Sequence, residues 1–280
     1  GLSTADFGWQ APYVTQLMEG RVRGALPEVL ARCGYRTVTV MPMMYNFVNE
    51  GPLLKSIGFQ EIYDAAAMGV EPLATRDSVY LDFAEKLIAE HRRTDRRPLF
   101  VAIQTLFAHS PYDHPHVDDS ELPPTAYSAD PKANEYFRRV TMARADFATF
   151  LDRRKVDPGP SGSVVADYGD HQGEATRDFA FELSGGPQAF ADFRSILYRT
   201  YFGIHAFGTP IDYTRFAESE DVPFLPARLL QSANLPTSPL FRDLVRLSDL
   251  CKGRFHTCVQ RAEIDLHLKK RVNAGLLRID

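Results

Sequence analysis

The run at residues 98–106 (PLFVAIQTL) constrains the fold more than any other stretch of this chain. It is apolar over six consecutive positions with no polar alternation, which is the pattern of a strand covered on both faces in a parallel α/β sheet. A second β-rich stretch, 35–41 (YRTVTVM), follows a helical pattern over 21–33 with Leu26, Val29 and Leu30 on one face and Gly34 at the stop. Helical spacing returns over 79–91, with Phe83, Ala84, Leu87 and Ile88 inward and Asp77 or Ser78 as cap. Residues 133–154 read as a long helix with Tyr136, Phe137, Val140, Phe147, Phe150 and Leu151 inward. Strands are predicted at 163–168 and 196–207, and helices at 222–233, 240–251 and 262–274. Helix and strand alternate at the spacing of crossover units. The expected class is therefore α/β, a largely parallel sheet with helices on both faces and a helical C-terminal region at about 215–280.

Charge excludes some partners. With 32 Lys and Arg against 36 Asp and Glu, the net charge of -4 gives no reason to expect nucleic acid. The basic clusters at 91–97 and 153–155 each fall at the end of a helical pattern, where cations suit the negative helix end. No apolar run approaches the length of about eighteen residues needed to span a membrane. The first residues lack the basic-then-apolar pattern of a signal peptide. The chain opens at Gly1 with no Met, so it is expected to be a mature or excised piece of a longer protein, with any membrane or targeting segment upstream.

Cys33 ends a helical pattern and reads as a small buried apolar residue. Cys251 and Cys258, separated by Lys-Gly-Arg-Phe-His-Thr, are open to three readings: a local disulfide, two free thiols, or a zinc site that His256 would leave short of ligands.

Two strand ends carry the candidate chemistry. One leads into Leu106-Phe-Ala-His109-Ser-Pro-Tyr, the other into Tyr168-Gly-Asp170-His171-Gln172. In a parallel sheet both would open on the same edge, and the long Pro- and Asp-rich loop 110–131 lies where open α/β sheets bind ligands. An adjacent carboxylate and imidazole at a strand terminus suit zinc or manganese, with Gly169 allowing the tight turn. The plainer reading is that Asp170 and His171 cap the next helix and bond locally. His91, His114, His116, His205 and His267 read as structural or solvated.

Several stretches resemble the sulfatase-like branch of the alkaline phosphatase superfamily, nearest to bacterial phosphoglycerol transferases and lipoteichoic acid synthases. They are 25–37 (ALPEVLARCGYRT), 49–64 (NEGPLLKSIGFQEIYD), 98–112 (PLFVAIQTLFAHSPY) and 169–172 (GDHQ), in consistent order. The resemblance implies one sulfatase-like domain over 1–280, N-terminally truncated, with an alkaline phosphatase-like sandwich fold. It implies a metal-dependent phospho- or sulfo-ester hydrolase or transferase modifying a cell-envelope glycan or lipid. The alternative is an inactive domain of the same fold that binds such a glycan or lipid.

By this resemblance Asp170 and His171 are ligands of a divalent metal, Mn or Zn ahead of Mg or Ca, and His109 contacts the substrate's phosphate or leaving group. The family's Thr nucleophile precedes a Gly-Leu that Gly1-Leu2 resembles, which places it upstream of Gly1, with Thr4 the alternative inside the chain. A membrane-anchored parent with this domain at the periplasmic face of the inner membrane is also implied. Val48 and Glu50 stand where lipoteichoic acid synthases carry an aromatic and an Arg that hold glycerol phosphate. A carboxylate there repels a phosphate, which argues against glycerol phosphate as the substrate.

Overall fold

The structure, a computed structural model, describes residues 11–124, 126–173, 176–192 and 194–278. In chain order the elements begin with α1 (Ala11–Met18), α2 (Leu26–Arg32), β1 (Arg36–Val40), α3 (Glu50–Ser56), β2 (Glu61–Tyr63) and α4 (Ala65–Met68). Next come α5 (Asp77–Thr94), β3 (Leu99–Ile103), α6 (Pro131–Val156), β4 (Ser163–Tyr168), α7 (Arg177–Ser184) and β5 (Phe202–Phe207). The helices α8 (Leu225–Ser232), α9 (Pro239–Cys251) and α10 (Arg261–Asn273) follow. The chain forms two compact units. One comprises Gly1–Ala67, His91–Ala102 and Pro210–Asp280, the other Met68–Glu90 and Ile103–Thr209.

In the first unit β1 is the central strand of the order β2-β1-β3, and Val38, Thr39 and Val40 are buried. It pairs with β2 in parallel, Val38 opposite Glu61 and Val40 opposite Tyr63. The connection between them carries α3, as a parallel crossover requires. Arg36 grips both carboxylate oxygens of Glu61 at 2.6 and 2.7 Å, fixing the start of the register. β3 is half-buried along its length rather than covered on both faces, because the strand order puts it at the edge. The helix expected from Arg21 begins only at Leu26, since Val22 forms a bridge with Leu277 and Gly24 turns the chain at φ 70°.

The largest core cluster of this unit joins Val29 and Leu30 of α2 to Phe241, Leu244 and Leu247 of α9, with Phe224, Phe255 and Ile264. The Ser238 hydroxyl caps α9 by accepting from the Phe241 amide at 3.3 Å, and Pro239 starts the helix without leaving an orphan N–H. Its buried residues Phe241, Leu244, Leu247, Ser248 and Cys251 recur every three or four positions, which is one helical face. Cys251 and Cys258 form a disulfide, so both thiols are consumed and neither is left for zinc. Cys33 corrects the sequence expectation: it is exposed, because α2 ends at Arg32 and Cys33 sits at the cap, off the buried face.

In the second unit β4 and β5 pair antiparallel, Ser163 opposite Phe207 through Tyr168 opposite Phe202. β4 thus belongs to a two-stranded ribbon, not to the sheet of β3. The strand expected over 196–207 is shortened from its start, because Ser195 accepts from the Leu197 amide at 3.2 Å and winds Ile196–Tyr198 into a 3-10 turn. Asp130 caps α6 by accepting from the Lys132 amide at 2.9 Å. The buried face of α6 is largely charged, comprising Glu135, Arg138, Arg139, Met142, Asp146, Phe150 and Arg154 alongside Ala133. The aromatic residues expected to point inward, Tyr136, Phe137 and Phe147, are only half-buried.

Leu244→Ala is expected to lower stability by about 2–5 kcal/mol, because it opens a cavity in a fully buried cluster. Val259→Ala, at a position 93% exposed, is expected to change it by less than about 0.5 kcal/mol. Denaturant melts of the two variants beside the wild type check both values.

Candidate functional site

The two loops singled out by sequence, at His109 and at Asp170-His171, both belong to the second unit. Each is anchored on α6. The His109 loop is held through its backbone. Arg139, 1% exposed, donates from Nη1 to the His109 carbonyl at 3.0 Å and from Nη2 to the His114 carbonyl at 2.9 Å. Its Nε donates to Glu135 Oε1 at 2.8 Å, and the same oxygen accepts from the His116 amide at 3.0 Å. Arg138 continues the work further along, donating to the carbonyls of Val117 at 3.1 Å and Leu122 at 2.6 Å.

From the other side Asp77 Oδ1 accepts from the Leu106 and Phe107 amides at 3.2 and 3.1 Å. A loop that would otherwise leave buried backbone groups unpaired is thereby satisfied almost group by group. At its tip the His109 imidazole is exposed. Its Nδ1 lies 2.8 Å from the Ser110 carbonyl. A carbonyl only accepts, so Nδ1 carries the hydrogen and Nε2 is the ring nitrogen left with a lone pair.

The second loop leaves β4 at Tyr168. Gly169 serves close approach rather than a left-handed turn: a Cβ there would come within 2.1 Å of Thr200 Oγ1, and its amide donates to the Tyr201 carbonyl at 3.1 Å. Gly173 lies flat on Tyr136 of α6, where a Cβ would meet the ring at 2.7 Å. Tyr136 in turn meets Tyr112 of the His109 loop edge to face, with ring centroids 5.6 Å apart. Burial, and after it the charge of Asp170, push the Tyr136 phenol above its ordinary pKa. The Gln172 carboxamide donates to the Arg199 carbonyl and ties the loop to the segment before β5.

Between these anchors Asp170 and His171 stand out in solvent, their side chains 80% and 66% exposed. His171 Nδ1 lies 2.9 Å from the Gln172 carbonyl, so it too carries the hydrogen and leaves the Nε2 lone pair free. Nε2 is 3.4 Å from Asp170 Oδ2. That is long for a charge-assisted hydrogen bond, which runs at about 2.7–2.9 Å. It matches the separation of about 3.4 Å between two ligands each about 2.1 Å from one tetrahedral cation. The donor pair thus fits a divalent metal by spacing, tautomer and chemistry. Among the described residues no group of three or more His, Cys, Asp or Glu is placed to hold one.

Thr4 lies outside the described residues. Val48 and Glu50 belong to the first unit, Glu50 opening α3 and Val48 taking a positive φ of 42°. Three histidines read from sequence as structural or solvated have carboxylate or backbone partners. His205 Nε2 is 3.1 Å from Asp167 Oδ1 on the ribbon, and its ring packs against Phe147 of α6. His267 is buried on Asp243 at 2.7 Å. His91 is buried with Nε2 2.8 Å from the Arg97 carbonyl. Arg139, Glu135 and Asp77 escaped the sequence reading as site-forming residues. Arg139 and Glu135 belong to a three-four periodicity of charged positions on α6, and Asp77 reads from sequence only as the cap of α5.

Neither a protein-family profile nor a curated protein matches the sequence. Solved structures do. Streptococcus pyogenes phosphoglycerol transferase GacH, in complex with sn-glycerol-1-phosphate, is similar at 16% identity and a TM-score of 0.63, covering 86% of this chain and 60% of that one. The lipoteichoic acid synthase LtaP from Listeria monocytogenes is similar at 22% identity and a TM-score of 0.55, covering 68% of this chain and 48% of that one. A protein of the alkaline phosphatase superfamily from Vibrio parahaemolyticus overlaps at 17% identity and a TM-score of 0.42, covering 55% of this chain and 37% of that one. The chain therefore spans between about half and three fifths of the length of the first two. The likeness establishes the fold, the α/β alkaline phosphatase-like fold expected from the motifs.

Asp77 offers a test of how the His109 loop is held. Burial is the main influence on its carboxyl and raises its pKa above 3.8, against the opposing pull of the Phe107 and Leu106 amides. The folded state therefore keeps this proton to higher pH than the unfolded chain. The Asp77 contribution to stability is greatest below 3.8 and declines as pH rises through the raised value. Asp77→Asn keeps an accepting oxygen and cannot ionise. It is expected to flatten that decline, read as the difference in Tm between the variant and the wild type across the acid range.

Proposed function

We propose that this chain carries part of the active centre of a metal-dependent phospho- or sulfo-ester hydrolase or transferase. The observation that carries the reading is the Asp170–His171 pair: an ionisable oxygen and a free imidazole lone pair, 3.4 Å apart, on a loop pinned at both ends. In this reading Asp170 Oδ2 and His171 Nε2 hold a divalent cation, manganese or zinc ahead of magnesium or calcium. A bound cation supplies charge neutralisation to an anionic ester. Gln172 orients His171 through its carbonyl, and Gly169 and Gly173 let the loop sit close enough to Thr200 and Tyr136 to be rigid. His109, through Nε2, donates to an oxygen of the ester or to its leaving group when protonated.

The substrate class is a cell-envelope glycan or lipid bearing a phosphate or sulfate ester, and the compartment the periplasmic face of the inner membrane. The likeness to GacH and LtaP supports phosphoester chemistry over sulfate. Among the described residues no helix is long and apolar enough to cross a membrane.

Metal content of the purified full-length protein, beside Asp170→Ala and His171→Ala, tests the reading. Each substitution is expected to lower manganese or zinc occupancy by at least about tenfold. Unchanged occupancy in both variants overturns the assignment and leaves a domain of this fold that binds without the metal.

A further inference from the structure

His109 sits on a loop, and a loop alone does not hold a side chain to the precision that reaction geometry demands. We propose that Arg139 is the positioning residue for His109. Its buried guanidinium clamps the loop at the His109 carbonyl and again five residues on, at the His114 carbonyl. The inference rests on the reading of His109 as the group facing the ester.

The geometry of the clamp is specific. The planar fork of Arg139 uses one edge on Glu135 and points its two terminal nitrogens at the carbonyls of His109 and His114, five residues apart. Between those carbonyls Tyr112 lies against the guanidinium, with its ring centroid 5.3 Å from Cζ, and its hydroxyl donates to the Ala108 carbonyl at 2.8 Å. Residues 108–114 are thus wrapped around one cation. The carbonyl that Arg139 holds belongs to His109 itself, and the imidazole is fixed to the next carbonyl through Nδ1. That leaves Nε2 little freedom in where it points. A lysine ammonium is a single point donor and does not reproduce a fork that spans two carbonyls.

Arg138 provides an internal control. It neighbours Arg139 on the same helix, is 5% exposed, and shares Glu135. Its carbonyl partners are Val117 and Leu122, beyond the His109 turn. If these arginines only keep the loop folded, their conservative replacements should behave alike. If Arg139 positions His109, they should separate.

The test uses the full-length protein with manganese present, orthophosphate as the probe, and the variants R139K, R138K and H109A. Phosphate affinity is read by equilibrium titration, and the His109 imidazole by its carbon–proton NMR cross-peak. R139K and H109A are expected to weaken phosphate binding by similar factors, about tenfold. R138K should weaken affinity clearly less than R139K, and the His109 cross-peak should move further in R139K than in R138K. Should R139K not fold, R139Q, which keeps donors toward one carbonyl and Glu135, takes its place with the same expected losses.

If H109A weakens binding while R139K keeps native affinity and a native His109 signal, the positioning role is overturned and the reading of the site stands. Equal losses in R139K and R138K overturn it as well. Native phosphate affinity in H109A overturns the reading of His109 itself.

Discussion

The second unit depends on the burial of charge along α6. A guanidinium removed from water costs several kcal/mol unless each of its donors is met, at about that scale per ion. Arg139 meets that demand with one carboxylate and two backbone carbonyls; Arg138 meets it only in part, bonding the carboxylates of Glu135 and Asp119 and two carbonyls while its buried Nε has no hydrogen-bond partner. The helix therefore organises the loop rather than merely packing against it. Apolar side chains at the same positions would bury as well, but they would not fix carbonyl directions. Directional bonds from a rigid element are what turn a long Pro-rich loop into a platform for a single imidazole.

The Asp170–His171 loop is fixed by a different means. Its anchors are close approaches that only glycine permits, at Thr200 and Tyr136, with a side-chain amide from Gln172 between them. Both loops thus converge on α6, one through ionic hydrogen bonds and the other through aromatic contact. The Tyr112–Tyr136 pair joins the two systems. The His109 and His171 imidazoles are exposed, and in each Nδ1 is already committed to a backbone carbonyl.

The α9 and α10 helices and the strands β1 and β4 were legible in the sequence, because apolar spacing and caps are local signals. The disulfide was legible only as one of three choices, since seven-residue spacing suits each of them. The charged inner stripe of α6 was not, because the aromatic residues at 136, 137 and 147 present a stronger apolar pattern than the true buried face. The pairing of β4 with β5 was not either. Strand direction depends on which partner lies alongside, and the stretch at 196–207 gave no sign that its first residues would turn. The exposure of Cys33 followed from a helix ending one residue earlier than its apolar pattern suggested.

The central claim is that Asp170 and His171 hold a cation on the loop that α6 supports. Titration of manganese into the full-length protein, followed by paramagnetic broadening of its side-chain resonances, tests it most directly. The account predicts that His171 broadens at the lowest manganese concentration, with Tyr136 next. Broadening that begins at His114 and His116, or reaches every exposed carboxylate at once while His171 is unaffected, would contradict it.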